Sequence, residues 1–527
     1  MRDDDIYKRV RCAMKQFNLA IREKWNVIIL GLKNIDKILL LLCLILVIAA
    51  FVRLWGVNYG LPYIYHADEP RNIRISHNIF KTGDLNPHAF AYGSLFFYSN
   101  ALVLIPYYIS GRVFGVFTSR TDILSPVSLV QGATKSLLPS TVLLGRILTI
   151  IFSLGTVLLT FLIGKQLTGK ASVGLFASFI MAISPSNVFN SRFITTDTLV
   201  VFFVALSFFF IVLIYQQGRM RYYIIAGLCI GLTVSCKYNG GLIILPLIFA
   251  YILHNRKQLL KNMDDLYLAL QLCGIGFIAT TPFALLDWSN FFAEFTREAK
   301  HYSTQGHIGM DGDSMKWYLN YMWETAGIVY IMAVIEIFRG LYSRSKEIIL
   351  LSVFPVIYVI FIFGIVVRND RTFIPVTPFL FVLAASFLIN LINNINKLQS
   401  KIVKDYLTSA AICLSIICIY QPNTKTIQDM ISYTKIDNRE LARLWINNNL
   451  PSRSKIAIES NTPFINPTKF YLHGISQLMV HEPNWYKDQK FSYIIFNKSI
   501  YQRYYKEPER SRAEIATYNN LFKQVFC

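Results

Sequence analysis

Long apolar runs alternate with short polar segments along the first four-fifths of this chain. The runs are about 17–22 residues long, which is enough for a helix to cross the hydrocarbon layer of a membrane. Their recurrence predicts a polytopic protein with about eleven membrane-spanning helices. The predicted spans are 37–56, 142–163, 171–189, 198–215, 222–236, 240–253, 266–287, 320–338, 347–367, 373–392 and 405–421.

The polar segments between the runs carry a charge pattern that predicts the orientation. If the N-terminus is cytoplasmic, every cytoplasmic segment holds two or more Lys or Arg residues, as the positive-inside rule requires. We therefore expect residues 1–36 to form a basic cytoplasmic segment without a cleavable signal peptide, followed by a signal-anchor span. The other predicted cytoplasmic loops are GKQLTGK, QQGRMR, HNRKQLLKN, RGLYSRSK and NNINKLQSKIVK.

The same alternation places a long first outer loop, 57–141, and the C-terminal segment, 422–527, on the extracytoplasmic face. An apolar stretch at 95–117 would reverse the alternation if it crossed the membrane, so we predict an interfacial helix there. Segment 422–527 combines an amphipathic helical pattern with short strand patterns. The predicted fold class is an all-α polytopic membrane protein with a small C-terminal α/β domain.

The composition supports this fold class, and the positions of the basic residues explain the net charge. Of 527 residues, 54% are hydrophobic and 16% are charged, with a mean hydropathy of +0.41, whereas soluble domains carry about 25% charged residues. The net charge of +21 lies in loops between spans, so we expect no nucleic-acid partner. Most of the eight cysteines fall inside apolar runs and none forms a CxxC pair, which predicts packing rather than chemistry.

Ionisable residues gather at the predicted outer ends of the spans. Asp68 and Glu69 follow the first span, Asp197 opens the fourth, and Lys237 with Tyr238 separates the fifth from the sixth. Lys237 interrupts an apolar stretch, where an ammonium group needs a partner. The alternative is that such side chains are only solvated at the membrane surface. Further candidates on this face are Arg192, Arg368, Arg371, His66, His88, His301 and His307.

These residue types suit group transfer at a membrane surface. A carboxylate can accept a proton from a hydroxyl, or hold a hard divalent cation against a phosphate, and Arg and Lys bind phosphate. We interpret Asp68 and Glu69 as catalytic candidates, and Asp68 with Asp197 as a candidate site for Mg, Mn or Zn. The donor-phosphate candidates are Arg192, Lys237, Tyr238, Arg368 and Arg371; the acceptor, sugar or metal candidates are Asp197, His66, His88, His301 and His307.

Several segments resemble the C-type membrane glycosyltransferases, nearest to the protein O-mannosyltransferase and aminoarabinose transferase group. The resemblance implies that Asp68 is the catalytic base or its metal-bound equivalent, with Glu69 as its acidic neighbour. It also implies that Asp197 helps to hold a metal or the donor phosphate, although TTDTL has a single Asp where oligosaccharyltransferases have Asp-x-Asp. The matching segments are HADEPRNI, TGDLNPHAFAYGSLFFY, SPSNVFNSRFITTDTLVVFF, CKYNGGLIILP, EAKHYSTQGHIGMDGDSMKWYLNY, RNDRTFIPVTPFLFVLAA and RELARLWINNNLPSRSKIAIE.

The resemblance and the topology together predict an integral glycosyltransferase of the plasma (inner) membrane, with 37–421 as its transmembrane domain. Nucleotide sugars are made in the cytoplasm and the candidate residues face the other side, so we expect a polyprenyl-phosphate-linked sugar donor. The acceptor is expected to be a glycan, a lipid or a protein, and membrane lipids are further partners. A flippase or transporter, an oligosaccharide transferase or polymerase, and a non-catalytic scaffold are the alternatives. A transporter favours charges near mid-bilayer and repeated halves, and the sequence has neither.

Overall fold

The computed structural model describes residues 36–128, 134–256, 258, 263–306 and 309–525. The predicted cytoplasmic segment 1–36, apart from Asp36, and the candidate His307 lie outside these residues. Helices dominate the described parts of the chain. They are α1 Lys37–Leu54, α2 Glu69–Thr82, α3 Leu95–Val113, α4 Pro139–Thr168, α5 Ala171–Ile183, α6 Pro185–Ser191, α7 Thr196–Gln217, α8 Met220–Cys236, α9 Ile244–His254, α10 Met263–Thr280, α11 Phe283–Leu286, α12 Trp288–Lys300, α13 Ser314–Tyr342, α14 Lys346–Phe363, α15 Asp370–Phe373, α16 Thr377–Ile395, α17 Lys401–Ser432, α18 Asn438–Asn449, α19 Pro483–Asp488, α20 Lys498–Tyr505 and α21 Arg512–Val525.

The helices account for every predicted span. Within the described ranges, eight are long and apolar enough to cross a membrane, and α5 with α6 gives a ninth if the 58° bend between them is counted within one span. The two remaining predicted spans correspond to the shorter apolar helices Met220–Cys236 and Tyr238–His254. The all-α polytopic fold class is therefore confirmed, while eleven crossings remain a prediction. Helix α3 forms at the position predicted for the interfacial helix.

Among the described residues, three of the loops predicted to be cytoplasmic lie together at one end of the bundle. Gln166 donates a hydrogen bond to the side chain of Gln216 at 2.6 Å, which joins the ends of α4 and α7. Lys170 donates to Asn390 at 2.7 Å, which adds the end of α16 to the same group. This end is opposite to the one that holds the candidate site residues, as the alternation of loops predicts.

Close packing in the bundle depends on small residues, because apolar lipid gives helices little hydrophobic reason to associate. The segment GLCIG on α8 places Gly227 and Gly231 one turn apart against α10. A Cβ on Gly227 would lie 2.3 Å from the carbonyl oxygen of Ala269, and one on Gly231 would lie 2.4 Å from that of Cys273. The two backbones therefore touch along a glycine surface, which holds α8 firmly where it ends at Lys237.

The C-terminal segment contains a parallel sheet covered on both faces. Its strands are β4 Lys455–Glu459, β5 Tyr471–Ile475 and β6 Tyr493–Ile495. They have the order β5-β4-β6, with β4 paired to both neighbours in parallel. Ile456 and Ile458 of β4 pack in one cluster with Ile446 of α18, whereas Ala457 packs in a second cluster with Tyr518 of α21. The predicted small α/β domain has this architecture. The six strands are β1 Tyr63–Ile64, β2 Val127–Ser128, β3 Thr134–Lys135, β4 Lys455–Glu459, β5 Tyr471–Ile475 and β6 Tyr493–Ile495.

A second, small sheet shapes the first outer loop. Strand β3 pairs antiparallel with both β1 and β2, so the beginning and the end of the loop are held together. Between them, α2 and α3 carry the loop over the outer end of the bundle. The predicted boundary at 422 falls inside α17, which continues through Pro422 to Ser432.

Candidate active site

Four charged side chains from distant parts of the chain form one group at the outer end of the bundle. Nζ of Lys237 donates to Oδ1 of Asp197 at 2.9 Å. Nη1 of Arg371 bonds Oδ2 of Asp68 and lies 3.9 Å from Oδ2 of Asp197. Two carboxylates thus alternate with two cations, and we call Asp68, Arg371, Asp197 and Lys237 the charge cluster. Asp197 is 4% exposed and Asp68 is 38% exposed, so the cluster is buried at one end and open at the other.

Both carboxylates of the cluster lie where helices begin. Asp68 is the N-cap residue of α2, and Pro70 follows in the first turn, where proline's missing N–H is tolerated. Asp197 lies in the first turn of α7. The partial positive charge at a helix N-terminus stabilises a nearby carboxylate. The two helices therefore hold negative charges at one end of an otherwise apolar bundle.

Lys237 lies at the point where α8 stops. Its backbone is extended, with φ −157° and ψ 126°, and a 3₁₀ segment Tyr238–Ile243 follows. Burial by itself disfavours the ammonium charge, but the Asp197 carboxylate outweighs burial and raises the pKa of Lys237 above its usual value. Lys237 is therefore a permanent positive charge at physiological pH.

The first outer loop packs directly against this break in the helix. A Cβ on Gly93 would lie 2.3 Å from the carbonyl oxygen of Ser235, so the approach requires glycine. The backbone N–H of Ser94 donates to Oγ1 of Thr281 at 3.1 Å and fixes the loop from the other side. As a result, the ring of Tyr92 lies 6.0 Å from Nζ of Lys237.

Arg371 is positioned by the short helix α15. Asn369 caps this helix, since its Oδ1 accepts from the backbone N–H of Thr372 at 2.8 Å. The buried hydroxyl of Tyr318 donates to the carbonyl of Asn369 at 3.2 Å and ties the turn to α13. Only Nη1 of Arg371 has a hydrogen-bond partner among the residues that the structure describes. Its Nε and Nη2 donors therefore remain available for a ligand.

Glu69 does not belong to the charge cluster, and its predicted catalytic role does not fit the structure. Its side chain is fully buried. Its two oxygens accept from Nε and Nη2 of Arg146 at 2.9 and 2.7 Å, and Oε1 also accepts from the backbone N–H of Ile194. Both oxygens are thus used to hold α2 against α4 and against the turn before α7. Glu69 positions Asp68 and Asp197 and touches no open space.

Two cavities meet beside the charge cluster. The first, of about 400 Å³, is mainly apolar and has Lys237 in its wall. The second, of about 530 Å³, has a wall that is about half polar and contains Asp68 and Arg371. We call them the apolar cavity and the polar cavity. Tyr92, Glu298 and Tyr302 line both, so the cavities adjoin at a boundary formed by these three side chains.

Of four further predicted residues, two line these cavities and two lie next to residues of their walls. The hydroxyl of Tyr238 donates to the carbonyl of Phe90 at 2.8 Å, and the side chain lines the apolar cavity. His301 lines the polar cavity. His66 lies next to Asp68, and burial lowers its pKa, so it is neutral at pH 7. Arg368 forms a 2.8 Å ion pair with Glu507 of the C-terminal segment. Its charge therefore joins two parts of the chain.

Two predicted residues lie away from the cluster. Arg192 is buried; its Nη2 donates to the carbonyl of Val52, and its guanidinium lies 4.9 Å from the ring of Tyr433. It cannot meet a donor phosphate in this position, because it is packed between α1 and the end of α17. His88 is exposed and forms a 3.0 Å pair with the exposed Asp84. Its predicted role at the acceptor or metal does not fit this surface position.

The sequence did not indicate several residues that line the polar cavity away from the helix bundle. Ser460, Asn461 and Arg503 come from the C-terminal segment, and Glu298 comes from α12. Burial raises the pKa of Glu298. Ser460 and Asn461 directly follow β4, and the ends of parallel strands are where ligands commonly bind in such sheets. Their position after a strand was the one signal in the sequence that could have indicated these residues. Only the docking of the C-terminal segment brings them close to Asp68.

The charge cluster does not suit a divalent cation. Asp68 and Asp197 already have cationic partners in Arg371 and Lys237, so a metal ion would need to displace them. No group of three His, Cys, Asp or Glu side chains spaced to hold a metal occurs among the described residues. The predicted metal role of Asp68 and Asp197 therefore does not fit the residues present, and we derive no step through a metal.

The sequence and the fold are both similar to membrane glycosyltransferases. Residues 129–303 match the family model for dolichyl-phosphate-mannose-protein mannosyltransferase, a region that contains Asp197 and Lys237. No curated protein matches the sequence at a significant level. The similarity in sequence therefore rests on the match to the family model, which covers about a third of the chain.

The fold is similar to that of ArnT from Cupriavidus metallidurans. The structure of ArnT bound to undecaprenyl phosphate has a TM-score of 0.53 at 13% identity, and the match covers 86% of this chain and 89% of that chain. The apo structure gives a TM-score of 0.52 at 12% identity, with 90% and 94% covered. At such identities the likeness concerns the fold, and here it extends over nearly the whole of both chains.

An oligosaccharyltransferase from Archaeoglobus fulgidus in its apo form is also similar, with a TM-score of 0.51 and 13% identity. The match covers 80% of this chain and 62% of the archaeal chain, so this chain spans less than two thirds of that enzyme's length. The family match and the fold agree with the predicted class. The chain thus has the fold of the C-type membrane glycosyltransferases, and its residues 129–303 match the protein mannosyltransferase family.

Proposed function

We propose that this protein is a glycosyltransferase that moves a sugar from a polyprenyl-phosphate carrier to an acceptor on the extracytoplasmic face of the plasma membrane. The observation that carries the proposal is the charge cluster at the junction of an apolar and a polar cavity. A lipid-linked sugar has an apolar chain, a phosphate and a polar sugar in that order. The apolar cavity, Lys237 with Arg371, and the polar cavity offer matching surroundings in the same order.

The two cations are suited to the leaving phosphate. Nζ of Lys237 has one carboxylate partner and two further donor positions, and Nε and Nη2 of Arg371 are available. The phosphate gains negative charge as it leaves the sugar, so fixed cations stabilise the transition state more than the ground state. A phosphate bound to Arg371 would also compete with Asp68 for the guanidinium, which frees the Asp68 carboxylate.

Asp68 is the proposed general base. Its carboxylate is the exposed one of the cluster and lines the polar cavity, where an acceptor hydroxyl would lie. The acceptor oxygen forms a bond to the anomeric carbon, the bond from that carbon to the phosphate oxygen breaks, and the hydroxyl proton passes to Asp68. The products are the glycosylated acceptor and polyprenyl phosphate. A single displacement inverts the anomeric configuration, so a retained configuration in the product would contradict this step.

We propose that the reaction proceeds without a resident metal ion, because Lys237 and Arg371 occupy the positions beside both carboxylates. The first outer loop, 57–141, is the proposed catalytic loop, and segment 422–527 is the proposed extracytoplasmic domain that closes the polar cavity. This assignment places the active site and the C-terminal domain on the same side of the membrane. A donor panel that includes a lipid-linked oligosaccharide distinguishes transfer of one sugar from transfer of several.

The test uses the full chain in lipid nanodiscs and a panel of radiolabelled polyprenyl-phosphate sugars, including a lipid-linked oligosaccharide. Release of the lipid phosphate is followed for wild type, Asp68→Asn and Asp197→Asn, with Asp84→Asn as a control for an exposed aspartate of the same loop. We expect turnover of one donor, loss of about 100-fold or more in Asp68→Asn, and wild-type turnover in Asp84→Asn. Addition of EDTA, and of Mg²⁺, Mn²⁺ or Zn²⁺ afterwards, should leave the rate unchanged.

Three results would contradict the proposal in different parts. Absence of turnover with every donor would exclude the transferase function and favour a transporter or a scaffold. Full turnover in Asp68→Asn would exclude Asp68 as the base. Loss of turnover in EDTA, recovered by one cation, would show that a metal binds in a geometry other than that of the charge cluster described above.

A further inference from the structure

A third cavity lies between the beginning of the first outer loop and the turn that joins α17 to α18. Its volume is about 640 Å³, within the range of about 300–1,000 Å³ that is typical of pockets for small molecules. Its wall is about half polar and contains more tyrosines than residues of any other type, so we call it the tyrosine cavity. The four tyrosines are Tyr59, Tyr63, Tyr65 and Tyr433.

The carboxylates of the tyrosine cavity are neutralised by neighbouring arginines. Asp437 and Glu440 lie in its wall. Nη2 of Arg439 donates to Oδ2 of Asp437 at 2.8 Å, and Nε of Arg443 donates to Oε2 of Glu440 at 2.8 Å. Lys435 is the third charged residue of the wall, and it is exposed to solvent. The cavity therefore suits a polar ligand without charge better than an anion or a cation.

The wall also offers hydrogen-bonding groups that are not yet used. Within the part of the chain that the structure describes, the hydroxyls of Tyr63 and Tyr433 and the side-chain amide of Asn58 form no hydrogen bond. The other two tyrosines donate their hydroxyls to the two carboxylates of the wall, and their oxygens can still accept. Tyrosine combines an apolar ring with a polar hydroxyl, which suits the C–H face of a sugar ring and its hydroxyl groups.

The tyrosine cavity is connected to the proposed acceptor site. Tyr65 lines both the tyrosine cavity and a smaller cavity of about 220 Å³. Ala67 and Asn461 line both the smaller cavity and the polar cavity. Tyr65 and Asp68 are three residues apart, so their Cα atoms lie at most about 11 Å from each other. A short chain of sugars can therefore extend from Asp68 into the tyrosine cavity.

We propose that the acceptor is an uncharged oligosaccharide whose terminal sugar presents the reacting hydroxyl to Asp68, while a sugar further along the chain binds in the tyrosine cavity. The inference rests on the proposed function, since it names the acceptor of the same site. A lipid headgroup is the competing occupant, because the exposed Leu54 and Trp55 at the end of α1 belong to the same wall. A headgroup would not use the connection to the polar cavity, whereas an oligosaccharide requires it.

The experiment measures the binding of neutral oligosaccharides to the full chain in lipid nanodiscs, without donor. The probes are linear series of one to four residues built from glucose, mannose, galactose or rhamnose, and affinities are taken from saturation-transfer NMR titrations. We expect the trisaccharide of at least one series to bind about tenfold more tightly than its monosaccharide, because the longer probe forms additional hydrogen bonds in the tyrosine cavity.

The variant Asn58→Trp fills the tyrosine cavity from an exposed position, so it should lower the affinity for the trisaccharide to that for the monosaccharide. Asn78→Trp is the matched control, because Asn78 is an exposed asparagine of the same loop that lines none of the three connected cavities.

A second variant, Tyr63→Phe, removes only a hydroxyl and keeps the ring, so it tests the proposal if Asn58→Trp fails to fold. It should weaken trisaccharide binding about threefold, as expected for the loss of one hydrogen bond. Tyr471→Phe, at an exposed tyrosine outside the cavity, should bind as wild type.

Failure of every series to bind more tightly with length would overturn the inference, and so would a length dependence that Asn58→Trp and Tyr63→Phe leave unchanged. Native mass spectrometry that shows fewer bound phospholipids in Asn58→Trp, together with no length dependence, would identify a lipid headgroup as the occupant. Failure of the proposed function is seen separately, as absence of lipid-phosphate release by wild type in the donor assay. Donor turnover without length-dependent binding would remove this inference alone.

Discussion

Asp68 and Asp197 carry the same functional group in opposite surroundings. Asp68 is 38% exposed and faces a polar cavity, whereas Asp197 is 4% exposed and bonded to Lys237. A base must reach the acceptor proton, and of these two carboxylates Asp68 is the one that lines the polar cavity, which supports its proposed role. Asp197 instead supplies the counter-charge that allows an ammonium group to stay charged beside an apolar cavity.

Removal of one partner of the buried pair should be more harmful than removal of both. Lys237→Met leaves the Asp197 carboxylate buried with only Arg371 nearby, so we expect destabilisation near the lower end of the range of about 3–5 kcal/mol that is typical of broken buried pairs. Lys237→Met/Asp197→Asn should recover much of this stability but no lipid-phosphate release. Thermal unfolding of purified protein measures the first effect, with Lys316→Met as an exposed control. Equal stability of the single and double variants would show that the pair is not coupled.

Stability in acid should depend on His77. Burial, with a contribution from Lys81, lowers the pKa of this imidazole to about 4, whereas an unfolded histidine has a pKa of about 6.5. Between these values the unfolded chain binds the extra proton, so the stabilising contribution is complete above pH 6.5 and is lost as the pH falls towards 4. His77→Gln should therefore show a smaller fall in unfolding temperature between pH 7.5 and pH 5. His88→Gln, which changes an exposed histidine of the same loop, should behave as wild type.

At the scale of elements, the position of Lys237 depends on how closely α8 and α10 approach. The contact is made by glycine, since a Cβ on Gly231 would lie 2.4 Å from the carbonyl oxygen of Cys273 and 2.7 Å from the N atom of Phe277. These atoms belong to the backbone of α10, so they cannot make room for a Cβ unless the whole helix moves. Packing of this kind is the usual basis of helix association in membranes.

Gly231→Ala should separate the two helices and destabilise the protein. Glycine to alanine in a helix is otherwise favourable by roughly 0.5–1 kcal/mol, so a loss of stability can be ascribed to the contact. Gly274→Ala is the matched control, because nothing lies within 4 Å of its added Cβ on the same helix α10; it should be neutral or stabilising. Thermal unfolding and lipid-phosphate release of both variants measure the effect, and identical behaviour would show that the close approach is unimportant.

At the scale of the whole molecule, the C-terminal segment is joined to the outer loops by polar contacts. Arg368, from the turn before α15, pairs with Glu507 at 2.8 Å. Asp311 pairs with Arg510 at 2.8 Å. The hydroxyl of Tyr65 in the first outer loop donates to Glu440 at 3.2 Å. These contacts hold Ser460 and Asn461 opposite Asp68 and so complete the polar cavity.

A charge exchange should test whether this docking supports activity. Arg368→Glu and Glu507→Arg each place like charges together, and we expect each to lower kcat/KM about tenfold, which corresponds to about 1.4 kcal/mol. The variant with both changes restores an ion pair and should recover most of the rate. Arg297→Glu, at an exposed arginine that pairs with Glu294 within α12, should have little effect. A double variant as slow as the single ones would indicate that the contact does not act through its charges.

The sequence by itself determined the class of fold, and the basic loops predict the orientation of the helices. An apolar run of sufficient length indicates a membrane-spanning helix, because in lipid every backbone polar group must be hydrogen-bonded within its own helix. The basic loops between the runs give one consistent alternation of sides. The sequence also indicated the four members of the charge cluster, Asp68, Asp197, Lys237 and Arg371. A charged side chain at the end of an apolar run needs a polar or charged partner, or a function. The resemblance to C-type glycosyltransferases rested on these same local signals.

Only the tertiary structure decided which of these charges act together. Asp68 and Glu69 are neighbours in sequence, yet one opens into a cavity and the other is enclosed by Arg146. No local pattern distinguishes them, because the partner lies 77 residues away on α4. The same holds for Arg192, which turns towards Tyr433, and for Ser460 and Asn461, which reach the site through domain docking. Burial and pairing are properties of contacts between distant segments, and such contacts exist only once the chain has folded.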